Sequence, residues 1–180
     1  MRCTAHLIQE HRIILRAVFV LFAMADRAKE GAMPDANDVE SLLNFFRRFG
    51  DEHHQGKEET VLFPALRNTD VGKTNGPLRQ MMFEHDQERS LIEGLENALH
   101  TKHPDDFAYY SRRLADVLSN HIYKEDNILF DLVEKTITRE DDGRLELDME
   151  KVDRSMAPGL HDELVRDVTR LEWKYIGKVA

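Results

Sequence analysis

Two ten-residue segments of this chain are nearly the same, and their spacing restricts how the chain can fold. They read HQGKEETVLF and HIYKEDNILF and begin at His54 and His121. Residues four apart lie on one face of an α-helix, so Glu58 points the same way as the first histidine and Glu125 the same way as the second. Both pairs stand among apolar residues, on the stripe of each helix that should face a core. Because burial of an unpaired carboxylate is costly, the segments predict helices that share one polar interior.

Four long helical patterns, separated by short loops, account for most of the chain. Apolar residues recur at three- and four-residue steps from Thr4 to Lys29, and a second such pattern ends near Arg67. The third pattern begins at Pro77, and the fourth follows a break at residues 103–106. Four antiparallel helices with short connections predict an all-α, up-down-up-down four-helix bundle with an additional C-terminal helix.

The C-terminal region differs in character from these four patterns. Residues 138–148 are polar and are predicted to form a turn around Asp142 and Gly143. We therefore expect a bundle over residues 1–137, followed over 138–180 by this turn and one amphipathic helix. The helix would pack on the bundle or on a partner subunit in a homodimer. Its apolar face consists of Leu160, Leu164, Val168, Leu171 and Tyr175.

Composition excludes several classes of partner. The net charge is −9 and the basic residues do not cluster, which argues against nucleic acid as a partner. The apolar run from Ala17 to Ala25 is shorter than the roughly 20 residues that a membrane span needs, so we predict a buried helix and no membrane partner. Cys3 is the single cysteine, which rules out an intrachain disulfide and is consistent with a cytoplasmic protein.

The first and third helical patterns each contribute one more histidine to the inward stripe. His11 shares a face with Leu7 and Leu15, and His85 shares a face with Leu78 and Ile92. A glutamate precedes each of these two histidines. The chain therefore resembles two copies of one helix pair, with Glu-His on the first helix and His-x-x-x-Glu on the second.

Four imidazoles and two carboxylates in one interior suit two metal ions. A single buried histidine is more often structural, but two buried His-x-x-x-Glu pairs are harder to explain in that way. Each ion could take two histidines, and the two glutamates could bridge. Nitrogen ligands disfavour magnesium and calcium, and a thiolate site has no cysteines to form it, so iron leads, ahead of manganese and zinc. The candidate ligands are His11, His54, Glu58, His85, His121 and Glu125.

The segments EHRIIL, HHQGKEETVLFPAL, MMFEHDQER and HIYKEDNILF, one on each predicted helix, carry a resemblance. Together they resemble the hemerythrin-like, or HHE cation-binding, domain family over about Ala5 to Val133. The resemblance implies a non-haem di-iron centre with carboxylate bridges and an oxo or hydroxo bridge, held by the same six residues. It also implies binding of oxygen, nitric oxide or peroxide, or the sensing of iron.

One position departs from the pattern of that family. Oxygen-carrying members are expected to place a second histidine four residues after the one on the third helix, where this chain has Arg89. Either this arginine stabilises a bound anion such as peroxide, or it covers apolar surface. His53 and Glu59 either substitute for the missing histidine or are neighbours of the ligands. Gly50 either leaves room for a small ligand or permits close helix packing.

Three classes of function remain open at this point. The first is a di-iron protein that binds or senses oxygen, nitric oxide or peroxide. The second is a di-iron enzyme that consumes peroxide or oxygen, or reduces nitric oxide. The third is a structural bundle with an adventitious metal. We rank them in this order.

Overall fold

The computed structural model describes residues 1–73 and 76–177, and within those residues the chain is all-α. Helices α1, α2, α4 and α5 are the four long ones; short connections alternate their directions, which confirms the predicted bundle with an additional C-terminal helix. The elements are α1 (Arg2–Lys29), α2 (36–66), the short α3 (Asp70–Lys73), α4 (Pro77–Thr101), α5 (104–136), α6 (Arg139–Ser155) and α7 (Leu160–Tyr175).

Helices α2 and α5 contain wider, π-helical turns where the repeated segments lie. In α2 these turns cover Phe46–Gln55 and Glu58–Leu62, and in α5 they cover Glu125–Leu129. The flanking parts, Ala36–Phe45, Phe63–Leu66, Pro104–Lys124 and Phe130–Thr136, are α-helical. Turns of this kind are rare and are frequent at functional sites. The regular α-helical periodicity of the sequence did not predict them.

The interior of the bundle consists of two apolar clusters with a polar layer between them. Along α1, Leu7 belongs to the smaller cluster and Ile14 to the larger one, with His11 between them. Along α4, Met81 and Ile92 stand in the same relation. The polar layer is therefore enclosed on both sides along the bundle axis.

The predicted polar turn at residues 138–148 is wrong, because these residues belong to helix α6. Thr138 caps the helix by accepting a hydrogen bond from the backbone N–H of Asp141, and acidic residues occupy the first turn, where the helix dipole favours them. Leu145 and Met149, four residues apart, are buried in the smaller apolar cluster. Gly143 is accommodated inside the helix because the cap and the buried face outweigh its low helix propensity.

Helix α7 packs on the bundle of its own chain. Leu164, Val168 and Leu171 are fully buried in the larger apolar cluster. The hydroxyl of Tyr175 donates a hydrogen bond to Asp38 Oδ2 at 2.9 Å, which ties the end of α7 to α2. Association of two chains through this helix stays a prediction.

The apolar run at 17–25 is part of the bundle interior. Val20, Leu21 and Met24 have no exposed surface. Among the described residues, no helix combines the length and apolar character that a membrane crossing requires.

Candidate metal centre

The structure brings all six predicted ligands together in the polar layer. They form two groups of four, and within each group the potential ligand atoms lie within 4.8 Å of one another. Both groups are fully buried. One group is His11, His54, Glu58 and Glu125; the other is His85, His121, Glu58 and Glu125.

The imidazole nitrogens of each group approach one another closely. His11 Nε2 lies 3.0 Å from His54 Nε2, and His85 Nε2 lies 3.2 Å from His121 Nε2. Two nitrogen ligands about 2.1 Å from one metal ion and at right angles to each other would be about 3.0 Å apart. The spacing of both pairs is therefore the spacing of ligands that share an ion.

The two glutamates lie between the groups and belong to both. Glu58 Oε1 is 3.6 Å from His54 Nε2, while its Oε2 is 3.4 Å from His85 Nε2. Glu125 approaches the other two imidazoles through a single oxygen: its Oε2 lies 3.2 Å from His11 Nε2 and 3.3 Å from His121 Nε2. Each carboxylate is thus placed to bridge two ions.

The donor set fits a pair of metal ions because its buried oxygens lack other partners. All four carboxylate oxygens of Glu58 and Glu125 are buried and have no hydrogen-bond partner among the described residues. Buried carboxylates without compensation would destabilise the fold strongly. Imidazole nitrogen together with carboxylate oxygen is a combination that suits iron, manganese or zinc.

A second set of carboxylates orients the imidazoles. Each Nδ1 lies within hydrogen-bond distance of an acidic side chain on a neighbouring helix, and because an ionised carboxylate only accepts, Nδ1 carries the proton and the Nε2 lone pair faces the centre. We call these four hydrogen bonds the carboxylate belt. It comprises Glu10–His54 (2.9 Å), Glu59–His85 (2.7 Å), Glu84–His121 (3.0 Å) and Asp126–His11 (2.7 Å).

The belt closes around the bundle. Its four hydrogen bonds join α1 to α2, α2 to α4, α4 to α5, and α5 back to α1. Every one of the four long helices therefore takes part in two of these bonds. The sequence showed the acids beside the ligands but did not assign them this role, because their partners lie on other helices.

The repeated segments owe their similarity to this arrangement. In each copy, the acid that follows the glutamate shared by both groups binds a histidine on another helix, and the final phenylalanine stacks on the same histidine. Phe63 stacks on His85 at 5.9 Å between ring centroids, and Phe130 stacks on His11 at 5.6 Å. The residues that the two segments share thus make the same contacts in the two halves of one centre.

The lysine of each repeated segment pairs with an acid of the carboxylate belt, but the two lysines differ in burial. Lys57 pairs with Glu10, and Lys124 pairs with Glu84. Lys57 is fully buried because α6 lies over it and places Asp153 Oδ1 2.5 Å from its ammonium nitrogen, whereas Lys124 is partly exposed. Helix α6 covers only one half of the centre.

His53 lies outside both ligand groups. Its Nε2 is 3.1 Å from Glu10 Oε1 and 3.3 Å from Asp153 Oδ1. Burial alone would raise the pKa of the Glu10 carboxyl. Its hydrogen bonds with His53 and His54 outweigh burial and hold that pKa well below its usual range. His53 is a neighbour of the centre that keeps Glu10 ionised.

Arg89 also lies outside the ligand groups. Its guanidinium donates to Asp51 at 2.8 Å, Glu59 at 2.6 Å and Asp86 at 3.1 Å. Glu59 in turn binds His85, so the arginine supports the carboxylate belt. Binding of an anion by this arginine stays a prediction.

The sequence interpretation missed Glu88, which lies one turn beyond His85 on α4. Only 2% of its surface is exposed, and Gln55 Nε2 donates to its Oε2 at 2.5 Å. Burial raises the pKa of Glu88. A signal was present in the three-residue spacing from His85, which places both side chains on one helix face.

In the metal-free protein, the pKa values of His11, His85 and His121 are raised. Burial lowers the pKa of His85, but the nearby carboxylates of Glu58 and Glu59 outweigh burial and raise that pKa to about 9. The pKa of His11 is raised to about 9 in the same way, because the carboxylates of Asp126 and Glu125 on α5 outweigh its burial. Without metal, protons therefore occupy the place of cations in the centre.

This electrostatic arrangement predicts opposite effects of pH on stability and on metal affinity. The folded pKa of these imidazoles lies above the unfolded value of about 6.5, so their contribution to stability is complete below that pH and is lost as pH rises through about 9. We expect the melting temperature of chelator-treated protein to fall across this window. Metal affinity should rise across it, because only neutral imidazole binds a metal. Thermal unfolding with and without metal measures both, and metal-free protein that gains stability over this window would contradict the prediction.

Comparison with known proteins places the centre within a matched region. The hemerythrin HHE cation binding domain family matches residues 4–133, which include all six candidate ligands. No solved structure shows a significant match to the chain.

Curated relatives match over a shorter segment. The chain is similar to the iron-sulfur cluster repair protein YtfE of Cronobacter sakazakii, with 34% identity over 85 residues, or 43% of this chain and 38% of that protein. It is also similar to a probable iron-sulfur cluster repair protein of Haemophilus influenzae and to YtfE of Escherichia coli, each 31% identical over 85 residues. The matched segment spans about two fifths of the length of these relatives.

Proposed function

This chain belongs to the hemerythrin HHE cation binding domain family, and on that premise we propose that it is a non-haem di-iron protein that binds or senses oxygen, nitric oxide or peroxide. One observation carries the proposal. Four imidazole Nε2 atoms and four carboxylate oxygens without other partners meet in one buried layer. A structural bundle with an adventitious metal would gain nothing from such a layer.

The residues divide naturally between two ions. His11 and His54 would hold one ion, His85 and His121 the other, and the two shared glutamates would bridge them with a family-type oxo or hydroxo group. Two nitrogens, two carboxylate oxygens and the bridging group would give each iron about five ligands and could leave one position open, as in metal sites that react rather than merely stabilise. When bound, the iron pair supplies the redox change and the positions at which a small molecule can bind.

Residues around the polar layer orient the imidazoles and keep water away from the proposed metal ions. The carboxylate belt fixes the orientation and tautomer of all four imidazoles, a role that such partners commonly have at metal sites. The two apolar clusters exclude bulk water along the bundle axis. Large substrates have no place in such a site, which favours diatomic and peroxide-sized ligands.

A metal analysis tests the proposal directly. The protein, expressed without added metal and purified without a chelator, should contain a pair of irons per chain and show an optical spectrum that changes with peroxide or nitric oxide. Absence of a transition metal, or a single zinc per chain, would contradict it. Steady-state turnover of peroxide or nitric oxide would instead favour the enzyme alternative over a binding or sensing role.

Oxidation in air provides a further prediction. Helix α4 has Arg89, tied to three acids, where oxygen-carrying members of the family are expected to have a fifth histidine, so an ion held by His85 and His121 would have one nitrogen ligand fewer. We expect the reduced protein to oxidise in air and not to return to the reduced form when oxygen is withdrawn. Spectra recorded over repeated cycles of oxygen pressure measure this. Loss-free cycling would identify an oxygen carrier.

A further inference from the structure

A small cavity lies beside one half of the centre. It has a volume of about 10 Å³ and lies between α2, α4 and α5. Gln55, Glu88 and Leu118 line it, together with Gly50. Gln55 follows the predicted ligand His54 on α2. Glu88 lies one turn after His85, and Leu118 lies one turn before His121. The cavity is therefore next to the metal layer.

Two buried polar side chains face this cavity with unused atoms. Gln55 and Glu88 are 4% and 2% exposed, and the single hydrogen bond between them uses Gln55 Nε2 and Glu88 Oε2. Gln55 Oε1 and Glu88 Oε1 are buried and have no hydrogen-bond partner among the described residues. A cavity of roughly 10–15 Å³ with polar partners is large enough for one water-sized group.

The internal repeat shows that the bundle can do without these polar groups. Counted from the histidines, Glu88 corresponds to Ile14 of α1, and Gln55 corresponds to Ile122 of α5. Both isoleucines are buried in the larger apolar cluster. One half of the centre is thus closed by an apolar pair, and the other half carries a buried polar pair that hydrophobic residues could replace without loss of stability.

Gly50 extends this difference between the halves. Its counterpart, four residues before the histidine of α5, is Val117. A Cβ atom added at Gly50 would meet no atom within 4 Å, so close helix packing does not require glycine there. The missing side chain leaves space beside the polar pair. Of the two alternatives for this glycine, room for a small ligand fits the structure better.

We propose that Gln55 and Glu88 form the recognition site for a small ligand of the centre, on the side of His85 and His121, and that they select hydrogen peroxide over nitric oxide. This inference rests on the proposed di-iron function. Because Gln55 Nε2 donates to Glu88, the atom left for a ligand is Gln55 Oε1, which can only accept, so a ligand there must bring a hydrogen. Hydrogen peroxide both donates and accepts hydrogen bonds. Nitric oxide has no hydrogen and would leave the amide oxygen buried and unpaired, which sites of this kind discriminate against strongly.

The internal repeat supplies the test variant. Gln55→Ile combined with Glu88→Ile copies the apolar pair of the other half. We expect the double variant to keep its iron, and its metal-free form to melt at the same temperature as the metal-free parent or higher. The ratio of the apparent dissociation constants for hydrogen peroxide and nitric oxide, from optical titrations of the iron-loaded protein, should shift towards nitric oxide at least about tenfold, the factor given by one lost hydrogen bond of ~1.4 kcal/mol.

Control variants separate this outcome from a structural effect. Ile14→Val with Ile122→Val alters the other half and should leave the ratio unchanged. Gln55→Leu removes the amide, both its acceptor oxygen and the nitrogen that donates to Glu88, and should shift the ratio in the same direction, which keeps the test valid if the double variant does not fold. An unchanged ratio in an iron-loaded variant, or loss of iron from the double variant, would overturn this inference. Absence of iron from the parent protein would overturn the di-iron proposal itself.

Discussion

Replacing Glu58 with alanine is expected to reduce the iron content from a pair of ions per chain to one ion or none. This carboxylate offers Oε1 to the group of His54 and Oε2 to the group of His85, so its loss removes a ligand from both positions at once. Glu125→Ala should have the same effect, because it is shared in the same way. Elemental analysis of protein purified in parallel with the parent measures the loss.

Glu59→Ala is the matched control for this experiment. Glu59 is the next residue along α2, but its carboxylate accepts from His85 Nδ1 and from Arg89 and belongs to neither ligand group. Partners of this kind typically change metal affinity by about 10–100-fold without removing the site. We therefore expect Glu59→Ala to load fully when iron is in excess. If it empties the site while Glu58→Ala does not, the assignment of bridging and orienting carboxylates is wrong.

Replacing Lys57 with methionine is expected to destabilise the protein by about 3–5 kcal/mol, the range for one partner removed from a buried ion pair. Lys57 is fully buried, and its ammonium group binds Glu10 and Asp153. Methionine fills a similar volume, so the loss would come from acids left without a cation. Denaturant unfolding of chelator-treated parent and variant gives the free energies to compare.

Lys124→Met is the internal control, because it is the same residue of the second repeat. Lys124 binds Glu84, but about a third of its side chain is exposed, so solvent screens the pair. We expect a loss of about 0.2–1 kcal/mol. Equal losses in the two variants would show that burial under α6 does not determine the contribution of these lysines.

The sequence was sufficient to predict the convergence of the six candidate ligands, and the structure explains why. Each of these residues lies on the apolar face of its helix. In a bundle that face points to the interior, so His11 and His85 had to point inward. Pairing by four-residue spacing then added a glutamate to each repeated segment. Metal binding by these six residues stays a prediction.

Other parts of the centre could not be predicted from local patterns. The acids of the carboxylate belt lie beside ligands in sequence but act on histidines of other helices, so their partners depend on how the helices assemble. The π-helical turns shift the helix phase without a local sequence signal. Helix α6 was missed because Asp142 and Gly143 are typical of a turn, although Leu145 and Met149 already showed helical spacing.

The closure of the carboxylate belt has a consequence for the lifetime of the bound metal. Because the belt runs around all four long helices, a single helix cannot move away from the others without breaking two of its hydrogen bonds as well as the metal ligands. Local opening, through which many proteins exchange amide hydrogens, is therefore suppressed at this level of the bundle. Escape of iron to a chelator would then require these hydrogen bonds to break together, so removal of the metal from the folded protein should be slow. The centre would hold its metal kinetically, even where a competing chelator has the higher affinity.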